Sequence, residues 1–533
     1  MKNLLSRLNK SRSLSIAAFI ISLSYLLSRV LGLVRDRLLA SNFGVSASTD
    51  AYTAAFRIPD LLFTLLVSGA FAVAFIPVFI GYFEKDKKDI AWQLANSLLN
   101  ILCVGTMIFG VIAFVFAGPL VKLLAPGFDQ ERFNLTVNLT RIMLVTPFFF
   151  ALASVFGAIQ QAFNRFFLFA FASIFYNVGI IVGIVFFAKF FPNDPIYGVA
   201  WGVVLGTFLQ AVVQILGVSG LGFRYGFILS FRLPGVWKVI KLMIPRSIDL
   251  TIDQLNWIIQ TAIASRLSVG SLASYYYANN LKNVPVALFG AAISTAAFPS
   301  LIRAVKGNNK ARMGKLFVHD LGIVLFLVIP SAAIAFVMRG YIVRLLFGFG
   351  DQTTANTLGW LAGTIVAQSV FYMVARAFYA IEDTKTPLYT SLSSIVINIG
   401  LSFALSARFG VEGMAMALSV STLYEALLLM YLLRNKIGNY GGKALLIKTT
   451  KITLATAVSS VAMYLLISRV FPLYKTTTGF LSLAPSFIVI SGTGIAIFFG
   501  LTLLMHVDEA HIVLRRVLHP LRQIKDIYSG KNT

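Results

Sequence analysis

Ser68-Gly-Ala-Phe-Ala-Val-Ala-Phe-Ile-Pro77 returns in the second half of the chain as Gly290-Ala-Ala-Ile-Ser-Thr-Ala-Ala-Phe-Pro299. The same offset carries Gly118-Pro-Leu-Val-Lys122 onto Gly340-Tyr-Ile-Val-Arg344 and Asp129-Gln130 onto Asp351-Gln352. An offset shorter by one position carries Tyr176-Asn177-Val-Gly179 onto Ile397-Asn398-Ile-Gly400. A spacing held over about a hundred residues marks a duplicated block. The chain reads as two equivalent halves followed by a C-terminal remainder.

Both halves are made for lipid. Of 533 residues, 58% are hydrophobic and 12% charged, against about 45–50% and about 25% in soluble domains. Phe alone accounts for 47 residues and the mean hydropathy is +0.83, so the apolar excess runs the whole length. Marking the apolar runs and their Gly, Pro and charged interruptions predicts an all-α polytopic membrane protein with about 14 transmembrane helices. They fall at 13–42, 50–83, 90–117, 133–162, 166–191, 196–219, 236–265, 272–304, 315–339, 354–381, 387–407, 412–434, 447–470 and 480–506. The first run is too long, and too poor in a cleavage site, for a signal peptide. Combined with the repeat, this gives two pseudo-symmetric six-helix lobes, 1–232 and 233–440, then two C-terminal helices in 441–510 and a basic cytoplasmic tail, 511–533. Because six is even, both lobes share one orientation, which predicts a pseudo-twofold axis along the membrane normal and a central cavity.

The net charge of +25 is a membrane feature and excludes nucleic acid as the partner, because Lys and Arg gather in cytoplasmic loops facing anionic lipid. Lys85, Lys87 and Lys88, then Arg224, Arg232, Lys238 and Lys241, then Arg303, Lys306, Lys310, Arg312 and Lys315 all fall in alternate connections. The segment ahead of the first helix, the connection around Arg434 to Lys451 and the tail agree. Gly44 to Thr49 and Pro192 to Pro195 on the opposite side are nearly uncharged. Both termini are therefore expected in the cytoplasm. Cys103 is the only cysteine and the four histidines lack ligand spacing, so neither a disulfide framework nor a metal site is expected. The sequence contains no phosphate-binding glycine loop and no catalytic constellation, so the chain is expected to be no enzyme. No cofactor is expected beyond a coupling monovalent cation or the membrane potential.

Ionic groups in hydrocarbon cost a few kcal/mol and mark function by default. In the first helix Arg29 falls roughly 20 Å from the start of the apolar run, near mid-bilayer, with Arg35 about 9 Å beyond it. Arg57 reaches a similar depth in the second helix, ahead of Pro59 and Asp60. These three arginines are expected to share one space between the lobes, with Asp36 pairing Arg29 as the plain structural alternative. Arginine's planar fork suits a diphosphate, so an anionic ligand is the expectation. In the seventh helix Arg246, Asp249 and Asp253 share a face at i, i+3 and i+7. Arg246 can neutralise Asp249, which leaves Asp253 unpaired; Asp249, Asp253 and the polar Asn398 are the coupling-ion candidates. Glu425 reads as a hydrogen-bonded packing residue.

Ser28-Arg-Val-Leu-Gly-Leu-Val-Arg-Asp36, Thr49-Asp50-Ala-Tyr-Thr-Ala-Ala-Phe-Arg57-Ile-Pro59, Gly69-Ala-Phe71, Ala125-Pro-Gly-Phe128 and Asn164-Arg-Phe166 together resemble the MurJ (MviN) lipid II flippases. The likeness continues through Tyr277-Ala-Asn-Asn-Leu281, Phe298-Pro-Ser-Leu301 and Asp383-Thr-Lys-Thr-Pro387. It therefore covers the first twelve helices, within the multidrug/oligosaccharidyl-lipid/polysaccharide exporter superfamily. The resemblance implies alternating-access transfer of lipid II, an undecaprenyl-diphosphate glycopeptide, across the bacterial cytoplasmic membrane for peptidoglycan synthesis. It implies diphosphate contacts from Arg29 and Arg35, an acidic cavity residue at Asp50, a lipid-tail groove in the last two helices, and membrane lipids and cell-wall synthesis proteins as partners. Asn280 stands where the family commonly has an arginine, Phe63 where it often has a basic residue, and Ser68 where it has an acidic one. Arg57 or Arg246 is the expected source of the missing charge, so the expected substrate site is Arg29, Arg35, Asp50, Arg57 and Asn280. The alternatives are an exporter of another lipid-linked oligosaccharide and an inactive scaffold for cell-wall enzymes.

Overall fold

Backbone amides in hydrocarbon have no water to bond, and helices satisfy them internally. The computed structural model describes residues 14–514 except 68–69, 308, 349 and 474–478, and it is helical almost throughout. The chain divides into two units, Met1–Ala273 and Ser274–Thr533. The first holds α1 (Leu14–Phe43), α2 (Ala47–Ala55), α3 (Arg57–Leu66), α4 (Ala70–Phe83), α5 (Lys88–Val115), α6 (Ala117–Leu124), α7 (Gln130–Met143), α8 (Thr146–Ala162), α9 (Phe166–Val185), α10 (Ile196–Val218) and α11 (Pro234–Ser265). α12 (Ser271–Pro285) begins just before the division. The second unit continues with α13 (Ala292–Lys306), α14 (Lys310–Val337), α15 (Arg339–Phe347), α16 (Gln352–Ala380), α17 (Lys385–Ile437), α18 (Gly442–Arg469) and α19 (Phe480–Leu504).

Among the described residues, eleven helical stretches are long and apolar enough to cross a bilayer. One of them, α17, is two helices joined at Gly410, whose φ of 57° and ψ of −138° suit glycine and few other residues. That break falls between the expected runs 387–407 and 412–434. α1 and α11 have the length of spans but carry ionic groups along it. The whole is compatible with fourteen crossings. The N-terminal basic segment and all but the first residues of the tail lie outside the described residues.

Within each unit the repeat is visible in matching local chemistry. α5 and α14 keep the repeat offset at both ends, and α6 and α15 keep it where they begin. Asp129 caps α7 by accepting the Arg132 amide at 2.9 Å, and Asp351 caps α16 by accepting the Thr354 amide at 2.6 Å. One turn in, Gln130 bonds Asn134 at 3.0 Å and Gln352 bonds Asn356 at 2.9 Å. The Ser46 and Thr49 hydroxyls meet at 3.1 Å, as do those of Ser268 and Ser271. Such caps stabilise a helix start by about 1 kcal/mol each. The Arg132 amide and guanidinium together hold the Asp129 carboxyl below its ordinary range.

By its packing α11 belongs with the first unit, which ends at Ala273, beyond the repeat boundary near 232. Val236, Val239 and Met243 join the aromatic core built by Phe71, Phe75, Phe79 and Leu94, and α11 packs on α3 and α4. Ahead of it, residues 222–230 run without regular structure along α5. Asn96 donates to the Arg224 carbonyl at 2.9 Å and accepts the Gly226 amide at 3.0 Å, while Asn100 donates to the Gly226 and Ile228 carbonyls. In the second unit α18 and α19 pack on each other and on α14. The Tyr341 hydroxyl donates to the Phe471 carbonyl at 2.5 Å, and the Lys448 ammonium lies 2.8 Å from the Glu509 carboxylate.

At the turn before α17, burial disfavours the Asp383 charge, but hydrogen bonds from Lys436 and Thr386 outweigh it and bring its pKa down from 3.8 to about 2. A lowered carboxyl stabilises the fold above its ordinary value and loses that contribution as pH falls through the lowered one. Carboxyl NMR on the purified protein should therefore show Asp383 still ionised at pH 3; a midpoint near 4 would contradict the clasp. α9 and α10 meet through Gly179, Gly183, Gly198, Gly202 and Gly206, a small-residue seam of the kind that lets membrane helices touch backbone to backbone. A methyl built on Gly183 would stand 2.6 Å from the Gly202 Cα. Gly183→Ala should cost about 1–3 kcal/mol by overpacking, seen as a melting point lowered by several degrees in detergent. An unchanged melting point would show that the seam is looser than described.

Candidate functional site

α1 presents its arginines unequally. The Arg35 guanidinium donates from Nε and Nη2 to Asp36 Oδ1, at 3.0 and 2.7 Å, and from Nη1 to Asn177 Oδ1 at 3.3 Å. Asn177 in turn donates to the Ser28 carbonyl at 3.3 Å and the Ser28 hydroxyl at 3.2 Å. α1 is thus pinned to α9 by one buried amide that reaches two turns of it. Asp36 pairs with Arg35, and the alternative in which it pairs with Arg29 is not seen: neighbouring residues reach each other once Asn177 fixes the guanidinium plane. Arg29, nearer the start of the helix, is exposed and pairs with no carboxylate among the described residues. α1 therefore has more positive charge than this one carboxylate offsets.

Asp50 is not open to a ligand, contrary to the expectation of a cavity residue. It is 1% exposed, and its two oxygens accept the amides of Gly270 at 2.6 Å and Ala273 at 2.8 Å. The Arg132 guanidinium stands 3.7 Å away and also donates to Asp129 at 2.7 Å. Asp50 thus supplies, from the far end of the first unit's sequence, the anion that the first turn of α12 prefers. Gly270 has a φ of 87° and its α-carbon is crowded by Val45, so the amide reaches the carboxylate where no side chain fits.

Arg57 is placed by an aromatic contact. It is buried, with its guanidinium 4.6 Å from the centre of the Trp257 ring, so it faces α11. Cation–π contact of this kind is worth about 2 kcal/mol when desolvated. Asn280 is half-buried on α12 and Asp253 is exposed on α11. Asn398 is buried on α17, and Glu425 accepts the Ser391 hydroxyl at 2.5 Å. The side chains of Arg246 and Asp249 lie outside the described residues. No group of three His, Cys, Asp or Glu side chains able to hold a metal occurs among the described residues.

Sequence reading missed Lys282. It lies two positions past Asn280, is 4% exposed, and its ammonium donates to Gln368 Oε1 at 3.0 Å. A neutral amide is its one polar partner among the described residues. The signal was a lone lysine inside the apolar run from Tyr275 to Ala292, hidden by the asparagines around it.

A two-unit helical membrane protein with a repeated plan and an arginine-bearing first helix belongs to the class of multi-pass transporters. The model of the family described as lipid II flippase MurJ matches residues 39–484, and the chain belongs to that family. The "Probable lipid II flippase MurJ" of Buchnera aphidicola is 32% identical over 418 residues, covering 77% of this chain and 81% of that one. The "Lipid II flippase MurJ" of Burkholderia cenocepacia is 31% identical over 424 residues, covering 77% and 82%. Among solved structures, an inward closed lipid II flippase MurJ superposes with a TM-score of 0.76 at 22% identity, over 92% of this chain and 99% of that one. An inward-facing multidrug resistance transporter of the MOP superfamily gives 0.66 at 13% identity, over 80% and 98%. These last two likenesses establish the fold.

Asp50→Ala would strand two buried amides and leave Arg132 to its pairing with Asp129. We expect a loss of about 3 kcal/mol, with a clearly lower melting point in detergent and partial recovery in Asp50→Asn. Equal stability of Asp50→Ala and the parent would rule out the capping role.

Proposed function

We propose that this chain flips lipid II, the undecaprenyl-diphosphate-linked peptidoglycan precursor, from the inner to the outer leaflet of the bacterial cytoplasmic membrane, with both termini in the cytoplasm. The observation that carries this is the charge on α1: Arg35 is held in a fixed orientation by Asp36 and Asn177, while Arg29 is exposed with no carboxylate of its own among the described residues. A diphosphate can share the guanidinium of Arg35 with Asp36 and neutralise Arg29, which is the chemistry arginine forks perform best. Family membership and the relatives' printed names support the same cargo. Another lipid-linked oligosaccharide carries the same diphosphate and is the second reading, while Asn280 in place of an arginine is the departure that favours an inactive scaffold.

Alternating access supplies the path: the head group binds from the cytoplasmic side, the chain rearranges, and the head group leaves outward while the lipid tail stays in the bilayer. A cargo bound equally well in both states cannot drive this. The membrane potential can, since moving one charge through 100 mV is worth about 2.3 kcal/mol. A monovalent cation is the other source of bias; Asp249 and Asp253, four positions apart on α11, and separately the polar Asn398 are the candidates to hold it. The last two helices are proposed to guide the lipid tail.

Arg29→Ala and Arg35→Ala should each abolish rescue of a flippase-depleted bacterium while membrane levels of the protein hold, and each should slow lipid II appearance at the outer face of reconstituted vesicles at least tenfold. Full rescue by both variants would point to a scaffold. Vesicles that flip a different lipid-linked glycan and leave lipid II in place would establish the second reading.

A further inference from the structure

On the first unit, at the end where α5 stops and α7 begins, a cleft of about 560 Å³ lies between α5, α7, α8 and α10. Its wall is formed by Phe114, Asn138, Arg141, Val145, Phe149 and Trp201. Two properties of this wall do not belong to the α1 site. Arg141 is exposed; its Nε lies 3.4 Å from the Phe114 carbonyl and its guanidinium 5.3 Å from the centre of the Phe114 ring. Neither contact is a counter-charge, and among the described residues no carboxylate pairs with it and its two Nη groups donate to no protein acceptor. Phe114, Val145 and Trp201 beside it are exposed large apolar side chains.

The depth of Arg141 is readable from the chain. It is the last charged residue before Ile142 to Asn164, a run with no ionic group and long enough for a full hydrocarbon crossing. Toward the helix end, Asn138 donates to the Tyr197 hydroxyl at 3.1 Å; toward the membrane interior, Val145 and Phe149 continue the wall. Polar groups at the rim, an arginine at the boundary, an interfacial tryptophan and an apolar floor reproduce the profile of one lipid molecule.

We propose that this cleft binds an anionic phospholipid, its phosphate on the free face of the Arg141 guanidinium and one acyl chain along Val145, Phe149 and Trp201. The net negative headgroup supplies the charge that the protein leaves unmet, and the planar fork matches two phosphate oxygens. With the orientation proposed above, the lipid is one of the outer leaflet. Only that leaflet assignment rests on the orientation; binding itself does not, and it is independent of the cargo carried at α1.

The test is native mass spectrometry of the full chain in detergent titrated with phosphatidylglycerol, diacylglycerol or undecaprenyl diphosphate. The parent should retain phosphatidylglycerol at least fivefold better than uncharged diacylglycerol, Arg141→Gln should lose that preference, and Arg141→Lys should keep part of it. Lys189→Gln, a basic residue at the same end of the unit, should behave as the parent. Equal retention by Arg141→Gln and the parent would overturn the site. Stronger, Arg141-dependent retention of undecaprenyl diphosphate would overturn the phospholipid as occupant. Unaltered lipid II flipping by Arg141→Gln is expected, which separates this site's failure from that of the transport reading.

Discussion

A charge inside a bilayer must be met, and how each charge is met orders this protein. Asp50 sits among two helix-end amides and Arg132. Arg35 is held by Asp36 and by an amide from α9, Arg57 lies over an indole, and Lys282 rests on a glutamine. These are different solutions with different consequences. A carboxylate fully used by amides is structural, whereas an arginine such as Arg29, exposed and with no carboxylate partner among the described residues, retains capacity for an anion. The distinction between scaffold and site in this chain is a distinction in how completely each ion is satisfied.

The duplication shows the same logic. At the repeat offset the two halves keep the features that start, cap and break helices: the aspartate caps, the glutamine–asparagine pair behind them and the hydroxyl pairs at helix starts. They diverge in the interior, where Arg57 and Asp60 of the first half correspond to Asn279 and Lys282 of the second. Geometry is shared between the copies at their ends, and electrostatics is rewritten between them.

Much of the fold is legible in the sequence because its signals are local. Long apolar runs, the glycine at 410 and the proline-marked helix starts announce themselves within a few residues, and the repeat offset needs only self-comparison. The family is legible from clustered motifs. The candidate site was only half legible. Arg29 and Arg35 follow from the rule that charge in lipid is functional, yet the acid at 36 belongs to the nearer arginine because Asn177, on a helix far along the chain, aims its guanidinium. The cavity role of Asp50 came from the resemblance alone, and its partners, the amides of Gly270 and Ala273, come too much later in the sequence to be read from it. The grouping of α11 with the first unit depends on Val236, Val239 and Met243 finding an aromatic core, which no periodicity encodes. Lys282 was hidden by polar neighbours that share its helix but not its environment.

The reach of Asp50 also has a bearing on time. At synthesis rates of about 5–20 residues per second, its carboxylate leaves the ribosome roughly 10–45 s before the amides of Gly270 and Ala273 exist. Arg132 arrives in between and can shelter the charge during the wait. The first unit ends at Ala273, so the nascent chain finishes one body by latching the opening turn of α12 onto an acceptor already in position. The bond that closes the first unit is thus among the last that unit can form, whatever the order in which its helices enter the membrane.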